Sequence, residues 1–265
     1  MPFRLKHTSR FPAGRSKSIR FPEAGPRAGA CFLYYNKIMK TMWILFAVFI
    51  LISVFHVFTI ALQKEKLRQI SKCLVIPFLL AVYIAGAGNK FLFPIPALIL
   101  GWIGDVLLLK IEKKGHFIFG LVSFLLGHIL YIFTFIYIIG LFGTGGLSGG
   151  KAVYFNIPAM VIFVPPVVVL TLVVFRLIKP TKEMSIPVIL YMTVLVAMNL
   201  VGFQVFLSNP GAAGLLILSG CFNFVVSDTI LAYYTFRKLK LLGAVLIMVY
   251  YILAQAEIIM GLIFL

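Results

Sequence analysis

Charge is what this chain lacks. Only 12% of its 265 residues are Asp, Glu, Lys or Arg, against a hydrophobic share of 62% and a mean hydropathy of +1.09. A soluble domain with that balance has too few polar groups to clothe its surface. The alternation of polar and apolar residues that marks an element with one wet face is missing too, and stretches of about twenty residues carry no charge at all. Cysteine is scarce and unpatterned: Cys31, Cys73 and Cys221 show no CxxC spacing and no partner His cluster, which argues against a zinc site and a disulfide scaffold. Cys73 and Cys221 lie in or beside apolar runs, where a thiol behaves as a small hydrophobe. There is no tandem repeat and no long hydrophilic domain, so function has to reside among the apolar segments.

What is present is a series of apolar runs separated by short polar breaks. A spanning helix needs roughly 20 residues at 1.5 Å each. Eight runs qualify, at about 42–62, 72–89, 91–109, 117–140, 153–178, 186–207, 213–236 and 241–264. The expected fold is therefore all-α, a polytopic transmembrane bundle of about eight spans occupying residues 41–265. The narrowest break is Gly86 to Lys90, where Gly-Ala-Gly-Asn-Lys reads as a turn with a basic end.

The formal net charge of +17 invites a nucleic-acid reading, but the placement of the basic residues speaks for topology instead. The first, third, fifth and seventh breaks hold 4, 3, 3 and 3 Lys or Arg, whereas the even breaks hold only Lys90 and Lys151. Odd loops are thus expected to be cytoplasmic, which with eight spans puts both termini on the other side. The amino-terminal residues 1–40 oppose this with nine Lys or Arg against the single acid Glu23. A miscounted span, a disordered or targeting extension, or an internal start at Met39 or Met42 each resolves the conflict, and the last is the favoured expectation.

Ionisable side chains at membrane depth cost several kcal/mol unless paired or hydrated, so each is a candidate for function. Asp105, His128, Asp228 and Glu257 qualify, with His56 a weaker case. Counting 1.5 Å per residue from the basic anchors places Asp105 roughly 8 Å, Asp228 roughly 13 Å and His128 roughly 20 Å inward, so all three are expected to face one cavity in the cytoplasmic half. Glu257, roughly 25 Å from Lys240, belongs nearer the opposite face. Two carboxyls at similar depth on separate helices repel if both are ionised, so a neutral acid beside an anion is expected. Gly101 and Gly104 precede Asp105, and Gly220 and Ser227 precede Asp228, a pattern of small residues that lets helices approach. Ser219, Asn223 and Ser227 form a polar stripe that either lines a groove or hydrogen-bonds to a neighbouring helix.

These residues carry a resemblance. Gly-Asp-Val-Leu-Leu at 104–108, Gly-Leu-Val-Ser-Phe-Leu-Leu-Gly-His-Ile-Leu-Tyr at 120–131, Ser-Asp-Thr-Ile-Leu-Ala at 227–232 and Tyr-Ile-Leu-Ala-Gln at 251–255 follow one another as in the YhhN family of membrane proteins. The resemblance covers about residues 42–265. Animal members of that family are lysoplasmalogenases, so the resemblance implies hydrolysis of the vinyl ether bond of lysoplasmalogens. It implies catalytic roles for Asp105, Asp228 and His128, and substrate contacts from Tyr131, Ser227, Tyr251 and Gln255. Glu257, His56 and Asn223 lie outside its motifs.

The implied chemistry suits these residue types. A vinyl ether is cleaved by protonation of its β-carbon and addition of water to the resulting oxocarbenium-like cation, which needs one protonated acid and one anion, as in glycoside hydrolysis. No cofactor and no metal is expected: the chain has no His-Glu-x-x-His pattern, and only His128 with the two aspartates counts to three ligands. Gly-x-Ser-x-Gly is also missing, which argues against acyl-ester chemistry. The expected partners are a single-chain ether lysophospholipid and the bilayer, not nucleic acid. The expected location is the plasma membrane of a bacterium or the endoplasmic reticulum of a eukaryote. A proton-coupled small-solute transporter using the same aspartates is the alternative, and a structural component the third reading.

Overall fold

The polar breaks become the turns of a computed structural model that describes residues 26–87, 91–143, 156–237 and 241–265. Its regular elements are the helices α1 (Pro26–Ala61), α2 (Glu65–Ala87), α3 (Pro94–Leu107), α4 (Lys114–Gly143), α5 (Ile157–Ile178), α6 (Lys182–Ser208), α7 (Ala212–Arg237) and α8 (Leu241–Phe264), with one 3-10 turn (Leu108–Lys110) after α3. Among the described residues there is no strand. The chain divides into residues 1–37 and 38–265. Of the first unit, residues 26–37 are helical, and residues 1–25, the larger part of the expected basic extension, lie outside the described residues. The second unit holds the rest of α1 and the helices α2 to α8, an integral multi-pass bundle.

Local chemistry sets the helix ends. The chain turns after α1 through Gln63, whose φ of 55° is left-handed. α5 opens at Asn156, whose side chain accepts from the Ala159 N–H and so satisfies one of the free first-turn donors. It closes at Lys179, again left-handed with φ 49°. Between α2 and α3 the turn expected at Gly86 to Lys90 falls partly on residues 88–90, outside the described residues. The Tyr83 hydroxyl donates to the Phe91 carbonyl at 2.6 Å and ties the far end of that turn to α2.

The third apolar run yields a shorter helix than its length in sequence suggests. Pro94 and Pro96 have no N–H to give and suit the first turn of a helix, so α3 begins at Pro94 and not at Phe91. Its 14 residues extend about 21 Å, less than the hydrocarbon thickness of roughly 30 Å. Among the described residues seven helices, all but α3, are long and apolar enough to cross a membrane. α3 nevertheless brings the chain back to the end it left, because Gln63 and Glu65 beside the first turn and residues 111–113 of the third turn line one cavity, together with Leu241 after the seventh.

Small residues bring the helices around the aspartates close together. A Cβ on Gly220 of α7 would stand 2.8 Å from the Ala254 carbonyl oxygen of α8, and one on Gly261 of α8 would stand 2.8 Å from that of Ala213 on α7. Only glycine tolerates such backbone contact, so α7 and α8 pack tightly along their length. Gly104 gives its space to the ring of Phe124 from α4, and Gly101 faces the Gln255 amide and the Tyr251 hydroxyl.

Candidate functional site

Asp105 from α3 and Asp228 from α7 line the same cavity, about 620 Å³ in volume. Its walls come from α1 (His56, Ile60), α2 (Arg68, Lys72), α4 (Phe124), α7 (Ser227, Leu231) and α8 (Met248, Tyr251). At its outer end stand Glu65, Lys110, Glu112 and Lys113, from the basic loops that charge bias assigns to the cytoplasm.

The environments of the two carboxyls differ. Asp105 is 2% exposed. Lys72 Nζ lies 3.3 Å from its Oδ1, and the Tyr251 hydroxyl donates to its Oδ2 at 2.8 Å. Tyr251 is in turn hydrogen-bonded by the Gln255 amide. Gln255 Oε1 accepts from the Tyr131 hydroxyl at 2.7 Å. A polar chain thus runs from α4 through one face of α8, where Tyr251 and Gln255 sit one turn apart, to α3 and α2. Among the described residues Asp228 has one side-chain hydrogen bond, from the Tyr191 hydroxyl of α6, which donates to Oδ2 at 2.5 Å. On its other flank Asp228 also borders a narrow, mostly apolar cleft walled by Phe117 and Leu121 of α4, Val188 and Leu195 of α6 and Val225 of α7.

Ser227 is buried, donates to the Ile247 carbonyl at 3.1 Å and lines the cavity. His128 departs from expectation. It does not line the cavity with the aspartates. Phe124, one turn earlier on α4, occupies the cavity-facing position, and His128 is packed edge-on against Phe224 at 4.8 Å and Tyr191 at 5.6 Å between ring centroids. Its Nδ1 is buried and has no hydrogen-bond partner among the described residues. It therefore meets the site through Tyr191.

The stripe on α7 hydrogen-bonds to its neighbour: Asn223 donates to Glu257 at 2.8 Å and Ser227 to the α8 backbone. His56 is fully buried, pairs through Nδ1 with Ser71 Oγ at 2.8 Å, and lines the cavity beside Lys72. No group of three His, Cys, Asp or Glu among the described residues converges as a metal site. Cys73 and Cys221 are free thiols.

Two partners of the aspartates escaped the sequence reading. Lys72 counts there as a loop anchor, yet its side chain is only 11% exposed. The available signal was its position at the start of an uninterrupted apolar run. Tyr191 sits inside such a run, and a phenol at membrane depth needs an acceptor, which is the signal that pointed to a carboxyl.

The model of the YhhN family matches residues 67–262, most of α2 through α8. No curated protein and no solved structure matches the chain.

Proposed function

We propose, for a chain that belongs to the YhhN family, a membrane hydrolase that cleaves the vinyl ether of lysoplasmalogens to a fatty aldehyde and glycerophospho-ethanolamine or -choline. The observation that carries this reading is the convergence of Asp105 and Asp228 on one cavity, each held by a phenolic hydroxyl and only one of them by a cation. Two carboxyls in different surroundings are what acid-catalysed hydration of an electron-rich double bond requires. The setting suits a single-chain amphiphile as well. Asp228 lines both a cavity with charged walls, large enough for a headgroup, and an apolar cleft, an arrangement that supports a lipid bound with its polar–apolar junction, where the vinyl ether lies, beside the carboxyls.

In this reaction one carboxyl gives its proton to the β-carbon, the other takes a proton from water as its oxygen bonds to the α-carbon, and the hemiacetal then breaks its bond to the glycerol oxygen. Tyr131 and Gln255 act through Tyr251 to hold Asp105, Ser227 borders the cavity beside Asp228, and His128 supports Tyr191.

The test is aldehyde release by the purified protein in detergent from a lysoplasmalogen and from an ester lysophospholipid. Aldehyde from the first alone, abolished in folded Asp105→Asn and Asp228→Asn, is expected. Undiminished release by both variants overturns the site, and proton-driven uptake into liposomes with no aldehyde formed replaces the hydrolase with a transporter.

A further inference from the structure

We infer that the two carboxyls divide the work unequally: Asp228 carries the proton that is delivered, Asp105 is the standing anion, and Lys72 is the positioning residue that keeps it one. This rests on the hydrolytic reading above and assigns the roles within it.

Both oxygens of Asp105 are engaged, Oδ1 by the Lys72 ammonium at 3.3 Å and Oδ2 by the Tyr251 hydroxyl at 2.8 Å. An ammonium has donors and no acceptor, and the Tyr251 hydroxyl donates, so both oxygens of Asp105 are committed as acceptors and neither is left to carry a proton toward a ligand. The dependence is mutual. The Lys72 and Asp105 side chains are 11% and 3% exposed, and either charge without the other would be uncompensated in a medium that disfavours ions. Other charged or titratable groups also line the cavity, Lys110, Glu112 and Lys113 in and after the turn that follows α3 among them, and none forms an ion pair with Asp105 among the described residues. Arg68 of α2 is held by Glu65 at 2.6 Å, His56 of α1 is engaged with Ser71, and Asp228 shares the cavity from α7.

Asp228 has no such cation. Among the described residues its side-chain hydrogen bond is the one from Tyr191 to Oδ2, and no Lys or Arg forms an ion pair with it. Val188, Leu195 and Val225 line the apolar cleft on its flank, and Asp105 shares the cavity on its other side. A second carboxylate near an anion in apolar surroundings is relieved by taking up a proton, which Oδ1, free of Tyr191, can carry toward a ligand.

The steps then balance. Asp228 gives its proton to the β-carbon and becomes a carboxylate. Water adds its oxygen to the α-carbon and passes a proton to Asp105. On collapse the glycerol oxygen takes that proton from Asp105 as its bond to carbon breaks, and the hemiacetal hydroxyl returns a proton to Asp228. Vinyl ether and water have become aldehyde and alcohol, with both carboxyls reset.

Infrared difference spectra of the carboxyl C=O stretch at neutral pH test this without substrate. The protonated-carboxyl band is expected to be lost in Asp228→Asn and kept in Asp105→Asn. Lys72→Met is expected to gain a second band, absent from the Lys72→Met/Asp105→Asn double variant, while Lys72→Arg keeps the wild-type spectrum. Loss of the band in Asp105→Asn, its survival in both Asn variants, or no gain in Lys72→Met overturns the assignment. Turnover gives a second readout: Lys72→Met is expected to lose about 10²-fold, with Lys72→Arg restoring most of it. Absence of aldehyde release from the wild type sinks the hydrolase alone and leaves the spectral result standing.

Discussion

The Tyr191 hydroxyl of α6 donates to Asp228 Oδ2 at 2.5 Å, so the orientation of a carboxyl on one helix is set by a phenol on another. Its ring also packs edge-on against His128 of α4, which links a third helix to the same group. Replacing Tyr191 by Phe keeps the ring packing and removes only the donor. Turnover on a lysoplasmalogen is expected to fall about 10²-fold, with a smaller loss in His128→Phe, which preserves an aromatic edge against Tyr191. Equal losses in the two would place His128 in direct contact with substrate.

Gln255 joins Tyr131 to Tyr251 deep in the bundle. Gln255→Leu leaves the buried Tyr131 hydroxyl without its acceptor and frees Tyr251 on one side. The expected cost is about 1–3 kcal/mol, the penalty of an unsatisfied buried polar group. Thermal unfolding in detergent measures it, and an unchanged midpoint would mean that the network has rearranged or taken up water.

Val225 lines the apolar cleft that ends at Asp228. A Val225→Trp change narrows the cleft while leaving the polar cavity untouched. kcat/KM for long-chain lysoplasmalogens is expected to drop by about tenfold or more relative to short-chain ones, with headgroup preference unaltered. Uniform loss across chain lengths would place the lipid tail elsewhere.

Gln63 and Lys113 stand at the same end of the bundle, lining one cavity, whereas Gly211 lies in the turn between α6 and α7. In a background with Cys31, Cys73 and Cys221 replaced by Ala, cysteines at 63 and 113 are expected to react with an impermeant thiol reagent from the cytoplasmic side, and one at 211 from the opposite side. Labelling of 63 and 113 from different sides would mean that α3 does not return the chain.

The spans were readable because hydropathy is a sum over neighbours in the chain. Run lengths anticipated α4 and α8 within a few residues at their ends, and misjudged α3, where Pro94 delays the helix. That Asp105 and Asp228 line one cavity was readable for a related reason: depth along a helix follows from residue counts at 1.5 Å each. Depth says nothing of rotation about the axis, however. His128 was expected in the cavity and is packed between rings instead, because Phe124 one turn away faces it.

What this sequence determined by itself is how many apolar helices there are, which end of them faces the basic loops, and which few polar groups the hydrocarbon must accommodate. Those follow from transfer free energies that depend only on residue type and count. The tertiary structure decided the partners: that Lys72 turns inward to Asp105, that Tyr191 takes Asp228, and that Tyr131, Gln255 and Tyr251 connect into one chain. Those contacts, with the Tyr251 bond to Asp105, join residues as far apart as 146 positions, and glycines at 101, 104 and 220 let the helices that carry them approach closely.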